Sequence, residues 1–61
     1  MNPFMKHYIE LNIAYLKTFK RSLHVAALKD DGVIDKDEQK TIDRANKITD
    51  KYIKELEKLM R

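Results

Sequence analysis

Apolar residues recur every three or four positions through the first half of the chain, which is the spacing of one face of an α-helix. Asn2 followed by Pro3 is a typical helix start, so the pattern predicts a first helix over about residues 3–30. One apolar stripe is Met5, Ile9, Leu16, Phe19, Leu23 and Ala26, and a second set directly beside it is Phe4, Tyr8, Leu11, Tyr15 and Val25. Together they exceed the roughly 100° that a helix packed on one side needs, so this helix is expected to have two neighbours.

The second half of the chain predicts a second helix over about residues 35–60. Asp35 and Glu38 have the spacing of a capping box, the reciprocal pair that opens many helices. The apolar stripe is narrower and comprises Ile42, Ala45, Ile48, Tyr52, Ile53, Leu56, Leu59 and Met60. Acid-to-base pairs four residues apart are expected to support its outer face: Asp43–Lys47, Asp50–Lys54 and Glu57–Arg61.

A short turn over residues 31–34 separates the two helices. Gly32, the only glycine, suits the left-handed position after a helix, and Val33 with Leu28 then has the spacing of a Schellman motif. The stretch also resembles a degenerate EF-hand loop, but Ala27 and Lys29 stand where the first two carboxylate ligands belong. We therefore expect a turn that binds no calcium. We interpret Asp30 and Asp31 as residues that cap the end of the first helix. The alternative is that they form a contact site for a basic partner.

The predicted fold is all-α: one domain over residues 1–61, folded as an antiparallel two-helix hairpin, because so short a connection places consecutive helices side by side. One seam between two helices cannot cover both apolar sets of the first helix. A second copy would cover the rest, giving a homodimeric four-helix bundle. Asn12 either fixes the register of that bundle or lies at its edge in water. The residues expected at the self-association surface are Phe4, Tyr8, Leu11, Asn12, Tyr15, Leu16, Phe19 and Leu23.

In length and architecture the predicted hairpin resembles the Rop family of plasmid regulators, which are short helical hairpins. The resemblance implies dimerisation and RNA binding. No residue motif carries over from that family to this chain.

Composition argues against catalysis and against resident cofactors. The chain has no cysteine, one glycine and one serine, Ser22, so neither a cysteine-based zinc site nor a phosphate-binding glycine loop is available. His7 and His24 are not spaced as a metal-binding pair. We expect no enzyme activity, no catalytic residue, no metal site and no cofactor. Apolar runs of at most four residues, against about 20 for a membrane span, predict no such span. The chain has no cysteine and no visible signal peptide, so we expect a cytoplasmic protein.

Charge is unevenly distributed along a chain of net charge +3. The first helix carries five basic residues with Glu10 as its only acid, whereas the second is nearly balanced. The basic residues that share one polar face, the candidate contacts for a macromolecular partner, are Lys17, Lys20, Arg21 and His24. We favour a regulatory, inhibitor or adaptor protein that docks on another protein. RNA or DNA binding through the basic face is the alternative, and a basic amphipathic membrane-surface helix is the weakest hypothesis.

Overall fold

The computed structural model describes residues 1–60 and contains two helices, α1 from Pro3 to Leu28 and α2 from Lys36 to Leu59. The helices pack against each other, and residues 1–60 contain no strand, which confirms the prediction of an all-α hairpin. The predicted Glu57–Arg61 pair lies outside the described residues.

Both helices begin where the sequence predicts, because side-chain oxygens occupy amide groups that the first turn leaves free. Asn2 Oδ1 accepts a hydrogen bond of 2.8 Å from the backbone N–H of Met5, and Pro3 occupies the first helical position. Asp35 Oδ1 accepts from the Glu38 N–H at 2.8 Å, while Glu38 Oε1 accepts from the Asp35 N–H at 3.3 Å. The capping box is therefore complete.

The turn differs in detail from the prediction. Gly32 adopts the expected left-handed conformation, with φ 76°, but its N–H donates to the carbonyl oxygen of Leu28 at 2.9 Å. In a Schellman motif the Val33 N–H would reach the Leu28 carbonyl. The Val33 N–H instead donates to Asp31 Oδ1 at 3.0 Å. Asp31 thus has the local capping role, and helix α1 ends two residues earlier than predicted.

The seam between the helices is centred on Ile13, Ile42 and Ile53, the three buried apolar residues. The predicted stripe of α1 is rotated relative to this seam. Three members of the predicted stripe, Met5, Phe19 and Ala26, are exposed. Ile13, which was not part of that stripe, is buried, and Lys20 is half-buried. The α1 residues that face α2 are Ile9, Ile13, Leu16, Lys20, Leu23 and Ala27.

Helix α2 presents two polar residues to the seam where apolar ones were expected. Thr49 is buried, and its hydroxyl donates to the carbonyl oxygen of Ala45 at 2.8 Å. Asn46 is half-buried, and its Oδ1 is buried with no hydrogen-bond partner in the described part of the chain. An unpaired buried oxygen costs about 1–3 kcal/mol. The residues displaced from the predicted α2 stripe are Ile48, Tyr52 and Leu59, all of which are exposed.

The molecule is a single layer two helices wide. Its Cα atoms extend over 46 × 17 × 9 Å, and its radius of gyration is 14.4 Å, against about 10.5 Å for a compact chain of this length. Its accessible surface is 5274 Å², whereas a compact folded protein of its 7.3 kDa mass exposes about 4,200 Å². The single chain therefore exposes about 1,100 Å² more than a compact monomer.

Candidate interaction surfaces

One side of the hairpin is apolar on both helices. Successive residues of a helix are rotated by about 100°, so positions can be placed around each axis from the residues that face the seam. In an antiparallel pair, this rotation brings the exposed apolar residues of α1 and those of α2 to the same side of the seam. This surface, here called the apolar side, consists of Phe4, Tyr8, Leu11, Tyr15 and Phe19 from α1 with Ile48, Tyr52 and Leu59 from α2.

Two open grooves follow the seam on the apolar side. One lies near the chain ends, has a volume of about 490 Å³, and is lined by Tyr8, Ile9, Leu11, Asn12, Tyr15 and Leu56. The other, here called the turn-end groove, has a volume of about 410 Å³ and is lined by Leu23, Ala26, Ala27, Thr41 and Ile42, with Asp37 and Glu38 at its rim. Small side chains in α1 and α2 leave this second depression between the helices.

The predicted self-association residues divide between two environments. Leu16 and Leu23 are half-buried in the seam of their own hairpin. Asn12 is exposed and lines the groove near the chain ends, where it borders the apolar side. The remaining five form the α1 part of the apolar side. The α2 part was not identified from the sequence, because Ile48, Tyr52 and Leu59 were placed in the single apolar stripe of α2 and no α2 residue was named at the self-association surface.

The opposite side of the hairpin is polar and carries the predicted basic residues. Lys17, Arg21 and His24 are exposed there. Lys20 differs, because its Nζ lies 2.6 Å from Asp50 Oδ1 across the seam, with 32% and 52% of the two side chains exposed. Lys20 therefore links the two helices. Among the four predicted basic residues, it is the one that lies at the edge of the helix–helix contact.

Acidic residues from α2 lie on the same polar side as the basic residues of α1. Asp50 contacts Lys20, and Asp43 Oδ1 accepts a hydrogen bond from Gln39 Nε2 at 2.9 Å. Neither acid makes the predicted contact with the lysine four residues on; the other ion pair within residues 1–60 joins Lys58 to Glu55 at 3.4 Å. The polar side is thus mixed in sign, and its basic residues are interrupted by carboxylates.

Asp35 and Glu38, at the start of α2, are engaged in the capping box. The pKa of Asp35 is lowered, chiefly because its carboxylate accepts a hydrogen bond from the Glu38 backbone and also interacts with the Glu38 side chain. The backbone hydrogen bond from Asp35 lowers the pKa of Glu38. The net pKa of Glu38 is nevertheless raised, by the Asp35 side chain, by partial desolvation and by repulsion from Asp35 and Asp31. Within residues 1–60, His, Asp and Glu side chains form no group of three arranged to hold a metal ion.

Neither α1 nor α2 combines the length and the apolar character needed to cross a membrane. Comparisons with protein-family models, with curated proteins and with solved structures give no match for this chain. Its function is therefore inferred from its own residues.

Proposed function

We propose that this chain is a small non-enzymatic regulatory, inhibitor or adaptor protein that acts as a homodimer through protein–protein contacts. The observation that carries the proposal is the apolar side, to which both helices contribute. Large apolar residues scattered singly over a surface are ordinary, but a continuous patch of them is typical of an interaction site.

The size of the excess surface supports this proposal. A standard specific interface covers about 800 Å² on each partner, and the single chain exposes about 1,100 Å² more than a compact protein of its mass. A second copy laid on the apolar side would give each hairpin a second layer. The seam alone offers three buried isoleucines and two polar residues, which is a small core for a chain of 61 residues.

The polar side would then face outward in the dimer and remain accessible to another molecule. Lys17, Arg21 and His24 would provide docking contacts for an acidic surface of a partner protein. Lys20 contributes less, because Asp50 already holds its ammonium group. Two-fold symmetry would present this set of basic residues twice.

The alternative, binding of RNA or DNA through the same basic residues, has weaker support. Nucleic-acid binding relies on a continuous basic surface that neutralises successive phosphates. Here Asp43 and Asp50 lie on the same side as Lys17 and Arg21, and each such carboxylate would repel a phosphate backbone. A protein partner with mixed charges suits this surface better.

The charge-reversed variant Lys17→Glu with Arg21→Glu tests the proposal. Both residues are exposed and lie away from the seam, so the hairpin should keep its helicity. In a pull-down from native lysate, the immobilised wild-type protein should retain a protein partner after the lysate is treated with nuclease. The charge-reversed variant should not retain this partner. A matched control is Lys47→Glu with Lys51→Glu on the outer surface of α2, which should retain the partner.

Gel-shift measurements with the same variants test the alternative. Wild-type binding of RNA or DNA below about 1 µM at physiological salt, abolished by Lys17→Glu with Arg21→Glu, would contradict docking on a protein and favour nucleic acid.

A further inference from the structure

The first turns of α1 lie at the open end of the hairpin, where α2 ends. Helix α1 has 26 residues and α2 has 24, so the two helices run side by side over nearly their whole length. Leu56 shares a groove with Tyr8, Ile9 and Asn12, which places the last turns of α2 beside the first turns of α1. This N-terminal segment is apolar and exposed, with 79% of Phe4 and 73% of Tyr8 accessible.

The turn-end groove lies at the other end of the same apolar side. It is lined by the small side chains of Ala26, Ala27 and Thr41 together with Leu23 and Ile42, and its volume is about 410 Å³. One end of the molecule thus has large exposed apolar side chains, and the other end has an apolar groove of a size that accepts such side chains.

The two ends are also complementary in charge. The first turn of α1 contains no acidic residue, so no carboxylate balances the positive end of its helix dipole, and Lys6 and His7 lie close to it. Residues 29–38 at the turn end are net negative, because Lys29 and Lys36 are outnumbered by five carboxylates, two of which line the groove: Asp30, Asp31, Asp35, Asp37 and Glu38.

We propose that the turn-end groove is the docking site for the exposed first turns of α1 of a second copy. The two hairpins lie with their apolar sides together and their turns at opposite ends, related by a two-fold axis across the helices. Each copy inserts Met5 and Tyr8 toward the groove of the other, so the dimer contains two equivalent contacts. This proposal rests on the homodimer proposed above and specifies its arrangement.

The other two-fold arrangement of the same apolar sides places both turns at one end. It brings the acidic turns of the two copies together, and like charges at short distance repel. The grooves and charges therefore favour turns at opposite ends.

A distance between two labels distinguishes these arrangements. The chain has no cysteine, so Asp30→Cys on the exposed turn gives one spin-label site per copy. With turns at opposite ends, the labels of a dimer should lie about 40 Å apart, close to the 46 Å length of the molecule. With turns at the same end, they should lie within about 20 Å, the width of two packed helices. Lys51→Cys, near the middle of α2, gives an independent check with the opposite trend. Its labels should lie within about 15 Å with turns at opposite ends, where the two α2 helices are adjacent, and about 25–30 Å apart with turns at the same end, where they are diagonal.

Each outcome of the label experiment is decisive when read with sedimentation equilibrium. A dimer with the long distance supports the proposed docking. A dimer with the short distance overturns the docking but leaves the proposed homodimer standing. A monomer at micromolar concentration overturns both.

A second variant tests the groove itself. Ala26→Phe fills the turn-end groove from within its own chain, at a position that is exposed in the hairpin. The dissociation constant of the dimer should rise at least about tenfold, because the segment from the other copy is displaced. Ala14→Phe makes the same change at an exposed α1 position that lines neither apolar groove, and it should leave the dissociation constant within about threefold of wild type. Equal effects of the two changes would contradict docking in the groove.

Discussion

Replacing Ile48 by serine tests the apolar side without disturbing the seam of the hairpin. Ile48 is 67% exposed in the single chain, so its loss removes little contact within one hairpin. Isoleucine and serine have similar helix propensities, so the helix itself should be unaffected. Any large effect must therefore come from a surface that covers Ile48 in solution.

The magnitude follows from the area left exposed. Fully burying an isoleucine side chain contributes about 1.5–3 kcal/mol, and the 67% that remains exposed corresponds to about 1–2 kcal/mol. A two-fold dimer contains the residue twice, so the change should weaken association by about 2–4 kcal/mol, a rise of roughly 30- to 900-fold in dissociation constant.

Sedimentation equilibrium over a range of concentrations measures this change directly. Lys47→Ser, on the outer surface of the same helix, controls for the loss of a long side chain. The melting temperature of the wild type should also rise with concentration, and the dependence should shift to higher concentration in the Ile48→Ser variant. If Ile48→Ser and Lys47→Ser leave association equally strong, the apolar side is not the self-association surface.

Further changes test the local account of the turn, the seam and the capping box. Gly32→Val should cost about 1–2 kcal/mol in thermal unfolding and Gly32→Asn clearly less, since a Cβ at this position meets no atom within 4 Å and only the left-handed backbone is strained. Asn46→Leu should raise stability by about 1–3 kcal/mol, because it removes an unpaired buried oxygen; a loss of stability would show that Asn46 has a partner in solution. Lys20→Met should cost less than about 1 kcal/mol, and the difference from wild type should shrink at high salt. Because the lowered pKa of Asp35 lies below its ordinary 3.8, its contribution is present above that pH and lost as pH falls through the lowered value. This loss of stability at low pH should be absent in Asp35→Asn. Proteins with and without the Asp35→Asn change should both be measured in a Glu38→Gln background, because the raised pKa of Glu38 changes stability with pH in the opposite direction.

The features of the fold that depend only on neighbouring residues, namely the helix starts and the turn glycine, could be predicted from the sequence. Asn2 and Pro3, the Asp35–Glu38 pair and Gly32 are local signals, because the groups they satisfy lie within a few residues of them. The hydrogen bonds of the turn were less predictable. The Asp31 carboxylate and the Leu28 carbonyl are alternative acceptors for the same Val33 N–H, and the spacing of residues does not decide between them.

The orientation of each helix about its own axis was not predictable from the pattern. Apolar residues cover so much of the circumference of α1 that several stripes are equally apolar, and the chosen one omitted Ile13. Lys20 was placed on the surface because it is charged, although its long apolar stem can lie in a seam with the ammonium at the edge. Thr49 was not predicted in the seam because it is polar. It can be buried because its hydroxyl donates a hydrogen bond to the Ala45 carbonyl of its own helix.

The placement of the apolar side follows from these orientations. The seam is centred on Ile13, Ile42 and Ile53. With this seam, the exposed apolar residues that form the apolar side lie on one side of the hairpin in both helices. No local signal relates Phe19 of α1 to Ile48 of α2, because their relation depends on the antiparallel register.

The central claim is that a second copy covers the apolar side, and the mass of the protein in solution tests it most directly. Sedimentation equilibrium at micromolar concentration should give twice the chain mass of 7.3 kDa, with full helicity in the same samples. A fully helical species of 7.3 kDa, with a melting temperature that does not change with concentration, would contradict the claim.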